Sequence, residues 1–152
     1  MIKYKFWSDY KHSPSSIKSI NYLLTLLTQN PDKITTKKLN EISKNSHILL
    51  ALDKNNKIVG MATLALINIS IGKSGRIEDV VVDDKFRGQG IGTTLIKKLI
   101  TKAKKLHLKK IDLTSNPKRV EANKLYLKLN FFKYETNVYR MKLLRSKHIV
   151  NT

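Results

Sequence analysis

At 152 residues the chain has the length of one domain that buries its own core without disulfides or metal. A hydrophobic fraction of 41% is ordinary for a globular protein, and the absence of Cys excludes thiol catalysis, thiolate metal sites and disulfide stapling. The formal net charge of +19 invites a polyanionic partner, but Lys is spread along the whole chain. No arginine-rich, aromatic-interleaved segment stands out, so these lysines read as solvated and nucleic acid is not the expected partner. His12, His47, His107 and His148 show no ligand spacing, and no metal is expected.

Residues 2–7 alternate like a strand and lack the apolar core of a signal peptide. The longest apolar stretch, 61–67, is far too short to span a bilayer. A cytoplasmic protein without membrane contact is expected. Pro14 opens a helix whose apolar positions Ile17, Ile20, Leu23, Leu24 and Leu27 follow the 3.6-residue period. Asn30-Pro31-Asp32 breaks it, and Thr35 or Thr36 is placed to cap a short helix through Ile42. Residues 48–52 and 57–67 flank the turn Asp53-Lys54-Asn55-Asn56 as a hairpin.

A further strand over 75–82 ends in Val80-Val81-Val82, and a glycine-rich loop follows. Ile91, Leu95, Leu99, Ala103 and Leu106 then mark one face of a long helix. Residues 109–114 read as a strand, 119–129 as a helix, and 131–135 and 137–143 as two closing strands paired around Thr136. The order β-α-α-β-β-β-α-β-α-β-β predicts an α/β fold: a mixed, mostly antiparallel twisted sheet with helices on both faces. One domain over 1–144 and a frayed tail over 145–152 are expected, and the closing strands offer a surface on which two copies could pair as a homodimer.

The chemistry is carried by Arg87-Gly88-Gln89-Gly90-Ile91-Gly92, set between a strand and a helix. Glycines let such a loop turn tightly and approach a ligand closely. Its N–H groups join the orphan donors of the helix N-terminus to form an anion site, to which Arg87 adds a full charge. A pyrophosphate is the natural guest. Asp83-Asp84-Lys85-Phe86 precedes the loop, so it is not a dinucleotide-binding turn placed directly after its strand, and the Gly-Lys-Ser/Thr ending of a P-loop is absent.

These residues resemble the GNAT family of N-acetyltransferases. Arg87-x-x-Gly90-x-Gly92 matches that family's Gln/Arg-x-x-Gly-x-Gly/Ala signature. The stretch from Ala122 through Asn123, Leu125 and Tyr126 to Phe131 is similar to its Ala-x-x-Leu-Tyr-x-Lys-x-Gly-Phe segment. The likeness covers about residues 47–143 and takes in the N-terminal helices only by topology. Glu78-Asp79 is also similar to the same pair in glucosamine-6-phosphate N-acetyltransferases, a likeness that stops at the glycine-rich loop because the downstream motif differs, and the wider pattern resembles a subgroup of small acetyltransferases.

The resemblance implies acetyl-CoA as cosubstrate, its pyrophosphate on residues 87–92 and Thr93. It implies that the splayed strand end at Val80, Val81 and Val82 pairs with the pantetheine arm, with Arg119 and Asn123 as further cofactor contacts. It also implies direct attack of a primary amine on the thioester. Tyr126, a phenol protonated at neutral pH, is then the acid for the departing sulfur, and Glu78 on the central strand is the expected base. Arg119, Asn123 and Tyr126, at i, i+4 and i+7, share one helix face. Alternation sets Glu78 and Asp79 on opposite faces of their strand. Asn130 stands where the family has Gly after the helix, and Asn is the next best residue for a left-handed cap. The acceptor is expected to be a small molecule, with an anionic amine suiting the basic chain; a peptide acceptor and a non-catalytic nucleic-acid module are the alternatives.

Overall fold

The computed structural model describes residues 1–143, and the expected tail at 145–152 lies outside them. Five strands form one sheet in chain order: β1 (Lys3–Phe6), β2 (Ser46–Leu52), β3 (Ile58–Ile69), β4 (Gly72–Val82) and β5 (Ile111–Asp112). Neighbours are antiparallel except β4 and β5, which run parallel. The helices are α1 (Pro14–Leu27), α2 (Thr36–Ile42), α3 (Ile91–Lys105) and α4 (Val120–Lys128). No helix among the described residues is long and apolar enough to cross a membrane.

Local chemistry explains where the elements start. Ser13 caps α1 in a reciprocal box: its side chain accepts from Ser16 N, and Ser16 Oγ accepts from Ser13 N, with Pro14 in the first turn. Thr35 caps α2 by accepting from Lys38 N at 3.2 Å. Between β2 and β3, Asp53 Oδ1 accepts from Asn55 N and Lys57 N at 2.8 and 2.9 Å, closing the expected turn.

The sheet divides the core. Leu49, Ala51, Val59, Ala62, Leu64 and Ile77 bury one face beneath α3 and Tyr126 of α4. Ile48, Leu50, Leu52, Met61 and Val81 bury the other beneath Ile20 and Leu23 of α1 and Leu39 of α2. Both faces of β2 and β3 are thus covered, which is why these strands read as nearly continuous apolar runs.

The C-terminal expectation needs correction. The strand expected over 109–114 is reduced to Ile111–Asp112, and neither closing strand forms among the described residues. The alternation that suggested them is present, but Phe132, Tyr134, Tyr139 and Met141 are exposed. A two-stranded ribbon holds together only when one face is buried, and a two-residue β5 offers almost no edge to extend. The pairing surface expected of those strands is therefore not formed by residues 131–143.

The end of α4 bears out the expected cap. Asn130 has φ 66, Phe131 N donates to Tyr126 O at 3.0 Å and Asn130 N to Leu127 O at 3.1 Å. The accompanying apolar contact is the edge-on packing of Phe131 against Tyr126, with centroids 6.0 Å apart. Asn130→Val should lower unfolding free energy by about 1–2 kcal/mol, the cost of a left-handed L-residue. Asn130→Gly should be neutral or stabilising in the same urea melts.

Candidate active site

The site is built on β4. Met61 pairs with Val81 and Thr63 with Glu78, so Asp79 and Val80 together stand opposite Ala62. This is a β-bulge, which bends its strand and increases the local twist. Asp79 takes φ 54, a left-handed conformation that costs most L-residues about 1–2 kcal/mol and that Asp tolerates better than most. The extra residue shifts the strand's phase: Ile77 packs on the α3 side and Val81 on the α1 side. Simple alternation, which set Glu78 and Asp79 on opposite faces, does not apply across the bulge.

Next to the bulge, β4 leaves its neighbour. The parallel ladder stops at Gly75↔Ile111 and Arg76↔Asp112, so the β5-facing edge of residues 77–82 has no strand partner among the described residues. Arg119, the N-cap residue of α4, reaches into the gap and donates from Nη2 to Val80 O at 3.4 Å. Val80 and Val82 turn towards the α3 side and Val81 is buried on the other.

The loop follows at once. Asp83 is only 2% exposed; its Oδ1 accepts from Lys85 N at 3.1 Å and its N–H donates to Val59 O at 2.8 Å. That buried carboxylate fixes the short 3-10 turn Asp84–Phe86, which aims the loop. Gly88 and Gly90 have φ 76 and 73, and a Cβ built on either meets nothing within 4 Å. Both are therefore free to face a ligand. Gly92 already lies inside α3 with no such backbone demand.

The amides of residues 88–93 donate to no protein acceptor among the described residues. Joined to the positive end of the α3 dipole, they form a cradle for phosphate. Gln89 is exposed and Thr93 half-buried, while Ile91 commits its side chain to the core and can offer only its backbone. Arg87 sits 2.6 Å from Asp84 Oδ1, both exposed, so its charge is shared with that carboxylate.

Tyr126 is buried in the α3-side core. Its hydroxyl makes no hydrogen bond among the described residues, yet it is not among the atoms sealed from solvent. Burial pushes its pKa up, while the Arg119 guanidinium pulls the other way. Through Arg119 the phenol is thus in electrostatic reach of the group that occupies the strand gap. Asn123, one helical turn from both, instead donates to Asn116 O at 3.0 Å and Pro117 O at 3.5 Å, bracing the turn before α4.

Glu78 is held by Arg76, whose Nε donates to Glu78 Oε1 and whose Nη2 donates to Thr114 Oγ1 at 3.2 Å. Sequence reasoning did not single out Arg76, nor Asp83. The pattern Asp83-Asp84 before a short turn was the available signal for the second; the first had none. A groove of about 450 Å³ opens elsewhere, between α3, β5 and residues 129–134, lined by Ile100, Ala103, Leu108, Ile111 and Phe131 among others.

The chain matches the acetyltransferase (GNAT) family over residues 15–131. It is 35% identical over 126 residues to a protein of Pyropia yezoensis named Uncharacterized N-acetyltransferase ycf52, covering 78% of this chain and 69% of that one. The crystal structure of a Trypanosoma brucei acetyltransferase superposes with a TM-score of 0.74 at 27% identity, covering 94% of this chain and 100% of the other. The glucosamine-6-phosphate N-acetyltransferase of Arabidopsis thaliana gives 0.76 at 22% identity, with 93% and 98% covered.

Because burial favours the neutral phenol, Tyr126 should ionise above the ordinary phenol range, as a late step in a phenolate absorbance titration. That late step should vanish in Tyr126→Phe; loss of amplitude within the ordinary phenol range instead would put the phenol in water.

Proposed function

This chain belongs to the GNAT family of acetyltransferases, and we propose that it moves the acetyl group of acetyl-CoA onto the primary amine of a small anionic molecule, an amino sugar phosphate being the class that fits. The observation that carries this reading is the junction of two features: the unpaired edge of β4 at residues 77–82 runs directly into the free amides of residues 88–93. An extended, amide-bearing arm can add to the first as a strand would, and its pyrophosphate can end on the second. Gly88 and Gly90, open on their outer side, leave room for that approach.

Within this reading the residues divide the work. Val80, Val81 and Val82 supply backbone partners for the arm, although Val80 O must first be released by Arg119. Arg119 is then free to turn to the ligand, and Arg87 and Thr93 flank the phosphates. Asn123 keeps Arg119 in place through its hold on residues 116–117. The amine nitrogen bonds to the acetyl carbon as the C–S bond breaks. Tyr126 gives its phenolic proton to the departing sulfur and recovers one from solvent, while the nitrogen gives its proton to a carboxylate of β4.

The acceptor class rests on charge. With 30 Lys and Arg against 11 Asp and Glu, the surface field attracts anions and repels polycations before either reaches the cleft.

Calorimetry should detect acetyl-CoA binding, and Gly90→Asp should weaken it by about tenfold or more, since a carboxylate there adds bulk and like charge, and tenfold is only about 1.4 kcal/mol. Tyr126→Phe should cut turnover by about two to four orders of magnitude, the usual weight of a general acid, and leave that affinity nearly unchanged. Thiol release with an amine panel tests the acceptor: turnover with polycations alone would overturn the anionic class, and acetylation of peptides alone would move the acceptor to proteins.

A further inference from the structure

Two carboxylates stand next to each other on β4, and the fold treats them differently. Glu78 lies in the regular part of the ladder opposite Thr63. Its Oε1 accepts a charge-assisted hydrogen bond from Arg76 Nε, and Arg76 is itself tied to Thr114. That bond engages one carboxylate oxygen and holds the Glu78 side chain to Arg76. Asp79 is the extra residue of the bulge, and its side chain makes no hydrogen bond or ion pair among the described residues.

Asp79 also holds the left-handed backbone, where Gly would sit without strain. Strain retained in the middle of a central strand, where a less costly residue exists, marks a position kept for its side chain. The bulge places it where β4 parts from β5, beside the gap that Arg119 spans.

We infer that Asp79 is the group that takes the proton from the acceptor amine, with Arg76 and Glu78 as positioning residues beside it. This rests on the acetyl-transfer reading and assigns the base within it. The nitrogen–carbon bond forms, the carbon–sulfur bond breaks, the sulfur receives the Tyr126 proton, and the proton leaving nitrogen goes to a carboxylate oxygen of Asp79. Water then removes that proton and reprotonates Tyr126, so both groups return to their starting state.

The electrostatic setting suits the task. Asp79 is exposed, and its proton affinity is raised, first by partial desolvation at the bulge and second by the Glu78 charge. β4 supplies Arg76 and Glu78 and α4 supplies Arg119, whereas β3 presents Ala62 and Thr63 opposite the bulge. The elements around Asp79 also carry Lys73 on β4, Asp112 on β5 and Glu121, Lys124 and Lys128 on α4. α1, packed on β3 and β4, carries only Lys18. A carboxylate with raised proton affinity accepts a proton more readily than an ordinary one and still releases it to water.

Asp79→Asn keeps the side-chain shape and tolerates the left-handed backbone, and Asp79→Gly relieves the strain, so both should fold. Thiol release as a function of pH should show an acid limb from Asp79. In Asp79→Asn, kcat/KM at neutral pH should fall about a hundredfold or more, the limb should disappear, and acetyl-CoA affinity by calorimetry should stay within about twofold of the wild type. Asp79→Gly should melt no lower than the wild type and be equally inactive, a combination that a merely structural role does not produce. Glu78→Gln should lower turnover and keep the limb. In carbon-13 NMR, the carboxyl signal lost in Asp79→Asn should titrate above the ordinary aspartate range. An Asp79→Asn enzyme with the wild-type limb, a limb lost only in Glu78→Gln, or an ordinary titration would each overturn the assignment alone. Failure of the wild type to bind acetyl-CoA would instead overturn the transfer reading and the base with it.

Discussion

The parallel ladder between β4 and β5 ends after Arg76 and Asp112, and the backbone groups along the next residues of β4 must find partners other than a strand. A buried or half-buried strand edge cannot leave such groups unpaired without cost. One carbonyl, Val80 O, takes Arg119; the rest form an open line of donors and acceptors. The bulge at Asp79–Val80 lies in this same stretch and adds the bend that carries β4 away from β5. One local departure from regular pairing therefore opens the edge of β4, sets the phase of Val80 to Val82, and takes Asp79 out of the regular ladder.

The remainder of the fold keeps that departure rigid. β3, the antiparallel partner of β4 on the other edge, is buried on both faces, by α3 with Tyr126 of α4 and by α1 with α2. Interiors packed to this density do not absorb a shift of register. The buried Asp83 then ties the start of the loop back to Val59 on β3, so the free amides of residues 88–93 are referenced to the same central pair of strands. The Schellman cap at Asn130 does the equivalent for Tyr126, because Phe131 bonds to the Tyr126 carbonyl and packs on its ring.

Charge acts at longer range. The ion pairs on the surface, such as Lys38–Glu41 and Lys124–Glu121, are exposed and contribute little to stability. Their main consequence is that most lysines keep an uncompensated charge. Three of them, Lys102, Lys104 and Lys105, close the last turn of α3 and complement its dipole, while the opposite end of the same helix offers bare amides. The helix is thus basic at the end that favours cations and has free amides at the end that favours an anion.

Residues that interact with near neighbours in sequence could be read without a structure. The helical period of α1 and α3, the cap at Thr35, the turn at Asp53, the Gly88–Gly90 loop and the left-handed Asn130 all depend on contacts within a few residues, and each stands as expected. What depends on a partner far along the chain could not. Strict alternation cannot announce a bulge, because the extra residue is defined only against β3. The alternating residues 131–143 look like strands, yet strands require an edge and a covered face, and β5 provides neither at useful length. The sequence by itself determined the helices, the glycine-rich loop and the family they belong to, since those are local chemistry. Only the tertiary structure separated Glu78 from Asp79, because the hydrogen bond of Arg76 to one and the bulge at the other exist only once β3, β4 and the segment at Thr114 are brought together.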